Sequence, residues 1–240
     1  MVESSISQNL IMQLSIVIPC FNEEKNLSKL FDRCAELAER IDCEIILVNN
    51  GSTDNSMQAM NSLTKDNKTF KLVHLKKNKG YGNGILAGLN AASGEFLGWT
   101  HADLQTNPLD CINALNLIQS KPNSFVKGKR YGRGFADSLF TAGMSIFETL
   151  LLMRPMNDIN AQPTVFSKKF YNQWKNPPLD FSIDLYAYHE AIKLKQSIIR
   201  FPVYFGPRMQ GNSSWNFGFI SRMRFIKRTI LYSLKLRFKK

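Results

Sequence analysis

The sequence predicts an α/β protein with a mainly parallel sheet flanked by helices, and three observations carry that prediction. Over the first 130 residues, strand-like apolar runs alternate with helical runs at the 3.6-residue period. The connections between them are short, as βαβ units require. Each strand-like run ends in a loop of Asn, Gly, Ser or Asp. In open parallel sheets ligands bind outside those carboxyl ends.

The elements follow in order. Residues 14–20 (LSIVIPC) form a β-rich run closed by Phe21-Asn22-Glu23-Glu24, and Leu27, Leu30, Phe31, Cys34 and Leu37 recur at helical spacing behind it. Residues 43–48 (CEIILV) read as a second buried strand. Gly51-Ser52-Thr53-Asp54 then supplies a turn and a helix cap before Met57, Met60 and Leu63. Residues 70–75 form a third strand, and the glycine-rich stretch 78–84 opens a helix to Ala92. A fourth strand, 95–99, ends at Thr100-His101-Ala102-Asp103. Pro108 starts a helix over 109–118, a strand follows at 125–129, and 139–153 is the second-half helix with the strongest apolar face. Residues 164–166, 183–194 and 197–205 read as strand, helix and strand. No Pro/Gly/Ser-rich linker divides these parts. The expected organisation is an N-terminal tail (1–12), one domain (13–215) and a basic amphipathic C-terminal helix (216–240).

Charge is distributed unevenly. The 240 residues carry 31 Lys+Arg and 19 Asp+Glu, a formal net charge of +12. Residues 1–190 hold 19 of each sign, and the twelve basic residues after Glu190 meet no acid. A neutral body with a basic end argues against diffuse nucleic-acid binding and for an anchor. In the tail, Phe219, Met223, Ile226, Ile230 and Leu234 fall within about 80° of one helix face, with Arg224, Arg228, Lys235 and Lys239 opposite. That pattern fits a helix lying on anionic lipid. The competing reading packs the helix on the core with a solvated basic face. The tail's aromatics follow a helical face and form no stacking platform for RNA. No run reaches the roughly 18 apolar residues that span a bilayer. The N-terminus lacks a signal-peptide pattern, and the four cysteines lack metal-like spacing. The expected location is cytoplasmic, peripheral on the cytoplasmic face of a membrane.

Four segments carry the chemistry when taken together. IVIPCFNEE, VNNGSTDNS, NKGYGNG and HADLQ, in that order and spacing, resemble the family 2 glycosyltransferases of GT-A (Rossmann-like) fold. The likeness is to the dolichol-phosphate mannose synthase and polyprenyl-phosphate branch, where these elements read roughly IPxYNE, DDGS, GLG and DADLQ. It covers residues 13–215. The resemblance implies a divalent metal, Mn²⁺ or Mg²⁺, held by Asp103 and Gln105. His101 stands where the family has an Asp, and with Ala102 it would contact nucleotide or add a nitrogen ligand. Pro19, Asn22, Glu23 and Asn50 would line the nucleotide pocket. Asn49-Asn50 replaces the family's Asp pair, which leaves the base undecided between GDP and UDP. Gly80 and Gly82 would let the backbone approach the nucleotide or sugar.

The second half carries the acceptor side of the resemblance. Arg208-x-x-Gly211-x-Ser213-Ser214-Trp215 resembles the loop that closes near the diphosphate and the acceptor phosphate, with Arg208, Ser213 and Ser214 as donors. Arg130 closes the VKGKR run where relatives show GSR and would face phosphate. Asp184 matches an acid that is general base in hydroxyl-acceptor relatives; with a phosphate acceptor no base is required, and it would orient the acceptor or cap the helix. The implied activity is inverting transfer from a nucleotide-diphosphate sugar to a polyprenyl or dolichyl phosphate. Transfer to a glycan or glycolipid hydroxyl and a catalytically silent GT-A binding domain are the alternatives, and the oligomeric state is open.

Overall fold

A computed structural model describes residues 12–208 and 218–238. The strands are β1 (Leu14–Cys20), β2 (Cys43–Asn50), β3 (Phe70–Leu75), β4 (Phe96–Trp99), β5 (Ser124–Tyr131), β6 (Thr164–Ser167) and β7 (Ser197–Tyr204). They form one seven-stranded sheet in the order β3-β2-β1-β4-β6-β5-β7. β1 pairs parallel with β2 and β4, β2 with β3, and β5 with β7. Short β6 runs antiparallel to β4 and β5. The expected mainly parallel sheet is therefore present, with one reversed strand whose direction its four residues do not encode.

Alternation along the strands divides the core into two layers. Ile16 and Ile18 of β1, with Ile45 and Leu47 of β2, meet α1 (Glu24–Arg40) and α4 (Asp110–Ser120) through Leu27, Leu30, Leu37 and Leu115. Val17, Ile46 and Val48 point the other way. They meet α3 (Tyr81–Ala91) and α7 (Ile183–Lys193) through Ile85, Leu89 and Ala187. Burial on both faces explains why these strands read as continuous apolar runs. The four cysteines are buried and free, as expected for structural thiols.

Local departures from expectation are small. β2 runs two residues further, taking buried Asn49 and Asn50 into the strand. The turn acid Asp54 accepts the Ser56 amide at 3.0 Å just before α2 (Ser56–Thr64). A single-turn helix, α6 (Lys168–Tyr171), was not anticipated.

The larger differences lie in α5 (Phe135–Leu152) and α8 (Gly218–Phe238). The apolar face of α5 is largely open: Phe135, Leu139, Ile146 and Leu150 are all at least 62% exposed. α8 packs against α5, and Tyr232 and Leu236 meet the core. This face is rotated from the expected stripe, whose Met223 and Leu234 are exposed and whose Ile226 and Ile230 are half-buried. The Phe219 side chain lies outside the described residues. At the helix contact the Ser233 hydroxyl donates to Glu148 Oε1 at 2.7 Å, with both residues fully buried. Glu148 Oε2 has no hydrogen-bond partner among the described residues.

Burial pushes the Glu148 carboxyl up from 4.5 to about 7, against the Ser233 hydrogen bond. The folded protein then holds a proton that the unfolded chain has released across that window. Stability from this group is present below pH 4.5 and is lost as pH rises through about 7. Glu148→Gln should leave Tm unchanged near pH 4.5 and raise stability at about pH 8 by up to roughly 3 kcal/mol. Thermal melts across that range check it, and an identical pH dependence in both proteins would contradict it.

Candidate active site at the carboxyl edge of the sheet

The loops after β1 and β2 are stitched together. Asn22 takes a left-handed conformation (φ 57°), which Asn tolerates better than most residues. Its amide donates to Ser52 Oγ (3.1 Å) and its Oδ1 accepts from the Thr53 amide (2.8 Å). The Glu23 amide donates to Ser56 Oγ (2.9 Å). The Asn22 side chain is thus committed to the loop, while the carboxyl of Glu23 takes one bond from Asn26 Nδ2 (2.6 Å). Burial raises the Glu23 pKa and the charge of Asp103 adds to it; Asn26 and Arg208 oppose. Glu23 therefore shares a field with Asp103 and Arg208.

The two asparagines after β2 divide their work. Asn49 accepts from the Ser52 amide (3.0 Å) and meets His74 Nδ1 (2.9 Å), so it holds the turn. Asn50 Nδ2 donates to the Gly80 carbonyl (3.0 Å), and its buried Oδ1 has no partner among the described residues.

The glycine loop uses its small residues for chain packing. A Cβ on Gly80, which has φ 123°, would lie 2.3 Å from the Leu179 carbonyl oxygen, and one on Gly82 would lie 2.5 Å from that of Pro178. The backbone that approaches these two glycines is therefore the 178–180 loop, where the sequence led us to expect nucleotide or sugar. Tyr81 between them stacks on Phe181 (4.8 Å) and His101 (5.7 Å). Its hydroxyl lies 3.4 Å from His101 Nδ1.

β4 ends at the HADLQ turn. Leu104 is left-handed (φ 57°), a conformation that costs about 1–3 kcal/mol in a non-glycine residue and persists where neighbours impose it. Leu104 packs on the core, beside buried Ala102 and Asp103. Asp103 Oδ1 accepts the Gln105 amide (3.2 Å), and Oδ2 lies 2.7 Å from Arg208 Nη2. Gln105 Nε2 donates to the Gly206 carbonyl (3.1 Å), and the Gly206 amide donates to the Gln105 carbonyl (2.8 Å). These two bonds carry the chain from β7 back across HADLQ and set Arg208 on Asp103. Burial lowers the pKa of His101 against the pull of Asp103 and Asp184.

The donor set fits a hard divalent cation. Asp103 offers a carboxylate, Gln105 retains a free-standing amide oxygen once its nitrogen is bound to Gly206, and His101 offers an imidazole. A cationic guanidinium already stands against Asp103. No cluster of three His, Cys, Asp or Glu forms a cation cage among the described residues. The remaining ligands would therefore come from bound diphosphate and water.

The acceptor-side residues are paired internally. Arg130 grips Asp158 through its backbone amide and Nε, both at 2.9 Å, and also through Nη2. Its guanidinium also lies 5.2 Å over the Phe205 ring. Asp184, buried in the first turn of α7, accepts on Oδ1 from Gln162 Nε2 (2.8 Å) and Lys127 Nζ (3.2 Å). Fully buried Lys127 also donates to Thr164 Oγ1 (2.7 Å). Burial draws its pKa down from 10.5 to about 8, with Asp184 opposing. Sequence reasoning passed over Lys127, Tyr81 and Phe181. For Lys127 a signal existed, since in β5 it shares a register face with buried Phe125. Ser213 and Ser214 lie outside the described residues.

Comparison with known proteins now adds to this geometry. The family model described as Glycosyl transferase family 2 matches residues 15–189. The chain belongs to glycosyl transferase family 2. An uncharacterized glycosyltransferase of Synechocystis is 28% identical to this family 2 chain over 220 residues, 87% of the chain and 66% of that protein. The undecaprenyl-phosphate 4-deoxy-4-formamido-L-arabinose transferase of Yersinia pestis is 34% identical over 149 residues, 60% of the chain and 44% of that enzyme. The chain thus spans two thirds or less of the length of these relatives. Among solved structures, glucosyl-3-phosphoglycerate synthase of Mycobacterium tuberculosis with Mn²⁺, UDP-glucose and phosphoglyceric acid aligns with a TM-score of 0.71 at 17% identity, over 94% of this chain and 79% of that one. A Pyrobaculum calidifontis mannosyltransferase with GDP-mannose and Mn²⁺ aligns with a TM-score of 0.63 at 17% identity, over 95% and 70%. These likenesses establish the GT-A fold.

The Lys127–Asp184 pair makes a checkable claim about the family 2 site. Lys127→Met leaves a buried carboxylate without its cation and should cost about 3 kcal/mol or more in urea unfolding. Adding Asp184→Asn removes the stranded charge and should recover much of that loss. Equal instability of the single and double variants would contradict the pairing.

Proposed function

We propose that this chain is a metal-dependent, inverting glycosyltransferase that moves a sugar from a nucleotide-diphosphate sugar to a polyprenyl or dolichyl phosphate at a membrane surface. The observation that carries the proposal is the meeting of Asp103, Gln105 and Arg208 at the carboxyl end of β4. Asp103 and Gln105, with His101 beside them, would hold a divalent cation that supplies positive charge against the departing diphosphate. The planar guanidinium of Arg208 is suited to grip phosphate oxygens. Asn50 would accept a hydrogen bond from the donor if binding opens its buried oxygen, which has no partner among the described residues. Solved GT-A neighbours carry Mn²⁺ with UDP-glucose or GDP-mannose, which supports the class of donor.

Two observations favour the lipid-phosphate acceptor. Asp184 is tied to Lys127 and Gln162, an arrangement that orients a carboxylate more readily than it frees one as a base. A phosphate acceptor is already ionised and requires no base. Leu139, Ile146 and Leu150 are exposed on α5, and on α8, which packs against it, Leu231, Leu234 and Phe238 are exposed along with Lys227, Lys235 and Arg237. Apolar area flanked by cations suits an anionic bilayer surface, reached from the cytoplasmic side. The Yersinia relative, named for undecaprenyl phosphate, supports the same acceptor class.

Calorimetry with GDP- and UDP-sugars, with and without Mn²⁺, tests the donor. Asp103→Ala should abolish metal-dependent nucleotide binding, and binding of neither sugar nucleotide would leave a silent domain. Asp184→Asn then separates the acceptors: mild loss of turnover fits a phosphate, near-complete loss with donor binding intact fits a hydroxyl. On the membrane side, replacing exposed Leu231 and Leu234 with Glu should release the protein from anionic vesicles with little change in Tm. Binding of the unmodified protein should weaken steeply with salt, as each basic residue contributes about 1 kcal/mol near such a surface.

A further inference from the structure

We infer that Arg208 is a built-in counter-ion that competes with the divalent cation for Asp103, so that metal and donor nucleotide bind as coupled ligands. The inference rests on the metal-dependent reading proposed above. Both oxygens of the Asp103 carboxylate are engaged: Oδ1 by the amide of its own turn, Oδ2 by Arg208 Nη2 at 2.7 Å. Asp103 is 7% exposed, so the pair sits where water screens it poorly. A divalent cation approaching Oδ2 would meet a guanidinium in hydrogen-bond contact with that same atom. The two positive charges would lie within a few Å of each other, and one must leave.

The geometry also says which leaves, and what draws it away. Gly206 is fixed to Gln105 by two hydrogen bonds, so the backbone two residues before Arg208 is pinned beside Asp103. Its guanidinium needs only a side-chain swing to reach an anion bound over the HADLQ turn. A donor diphosphate is such an anion, and it adds oxygens for the metal as it removes the competing charge. Gln105 links the two events, because its Nε2 holds the Arg208 segment while its amide oxygen remains available to the cation. The Glu23 carboxyl lies in the same field, raised by the charge of Asp103 and lowered by that of Arg208.

Coupling of this kind is reciprocal. The unliganded protein should bind Mn²⁺ weakly, nucleotide should tighten it, and Mn²⁺ should tighten nucleotide by the same factor. Mn²⁺ titrations followed by electron paramagnetic resonance on the full chain test this, with Mn²⁺ alone and with saturating UDP or GDP. Arg208→Gln should bind Mn²⁺ alone about fivefold or more tighter than the unmodified protein and lose most of the tightening by nucleotide. Arg208→Lys, which keeps the charge, should retain the coupling. Equal or weaker binding of Mn²⁺ alone by Arg208→Gln, with binding lost in Asp103→Asn, would overturn the counter-ion role and leave the metal site standing. Undiminished Mn²⁺ binding by Asp103→Asn would overturn the metal assignment itself and this inference with it. Failure of all the proteins to bind Mn²⁺, even without Arg208, would also overturn the inference.

Discussion

Asp103 is a buried carboxylate with a guanidinium set against it, and much of the carboxyl edge is arranged around that pair. The turn that presents it bends through a left-handed Leu104, which core packing holds in place. The segment after β7 is fastened to the same turn through Gln105, and this sets Arg208 against the carboxylate. A sheet strand, a strained turn and a distant loop are thus joined at one charge. The carboxylate lies deeper than its partner, since the Arg208 side chain is 23% exposed.

The other buried charges of the second half are held differently. Lys127 and Asp184 are sealed almost completely and are also linked by hydrogen bonds that run from Lys127 through Thr164 and Gln162 to Asp184, so breaking the pair would strand an ion in the core. Asp158 is gripped by Arg130 and lies near Arg200, and these outweigh burial to keep it below the usual carboxylate range. Such pairs rigidify the floor of the site and leave Arg130 less free to move than Arg208. Glu148 has no cation against it among the described residues, and the fold accommodates it by favouring its neutral form. Depth and partner count set these charges apart from the Asp103–Arg208 pair.

The strand–helix alternation was legible because burial on both sheet faces writes itself into continuous apolar runs, and the loops at the strand ends could be placed from it. The direction of β6 was not, since a run of four residues carries no signal that separates the two pairings. The amphipathic stripe of α8 was legible as a pattern, but its docked face was not. Ser233 and Tyr232 meet partners on α5 and in the core that the helix sequence does not encode, so the apolar stripe is left partly outward. Gly80 and Gly82 announced a close backbone approach, and only the fold reveals that the 178–180 loop makes it. Asp103, Gln105 and Arg208 were nameable from motif and spacing. Their mutual contact spans about a hundred residues of sequence and depends on β7 running parallel to β5.

The central claim is that Asp103 exchanges its guanidinium for a metal when donor nucleotide binds. Diffraction at the manganese absorption edge, on crystals grown with Mn²⁺ and UDP or GDP, tests it most directly. The account predicts one anomalous peak in bonding contact with the Asp103 carboxylate, with Arg208 turned onto the diphosphate. A manganese peak elsewhere, with Arg208 still paired to Asp103 beneath a bound nucleotide, would contradict it.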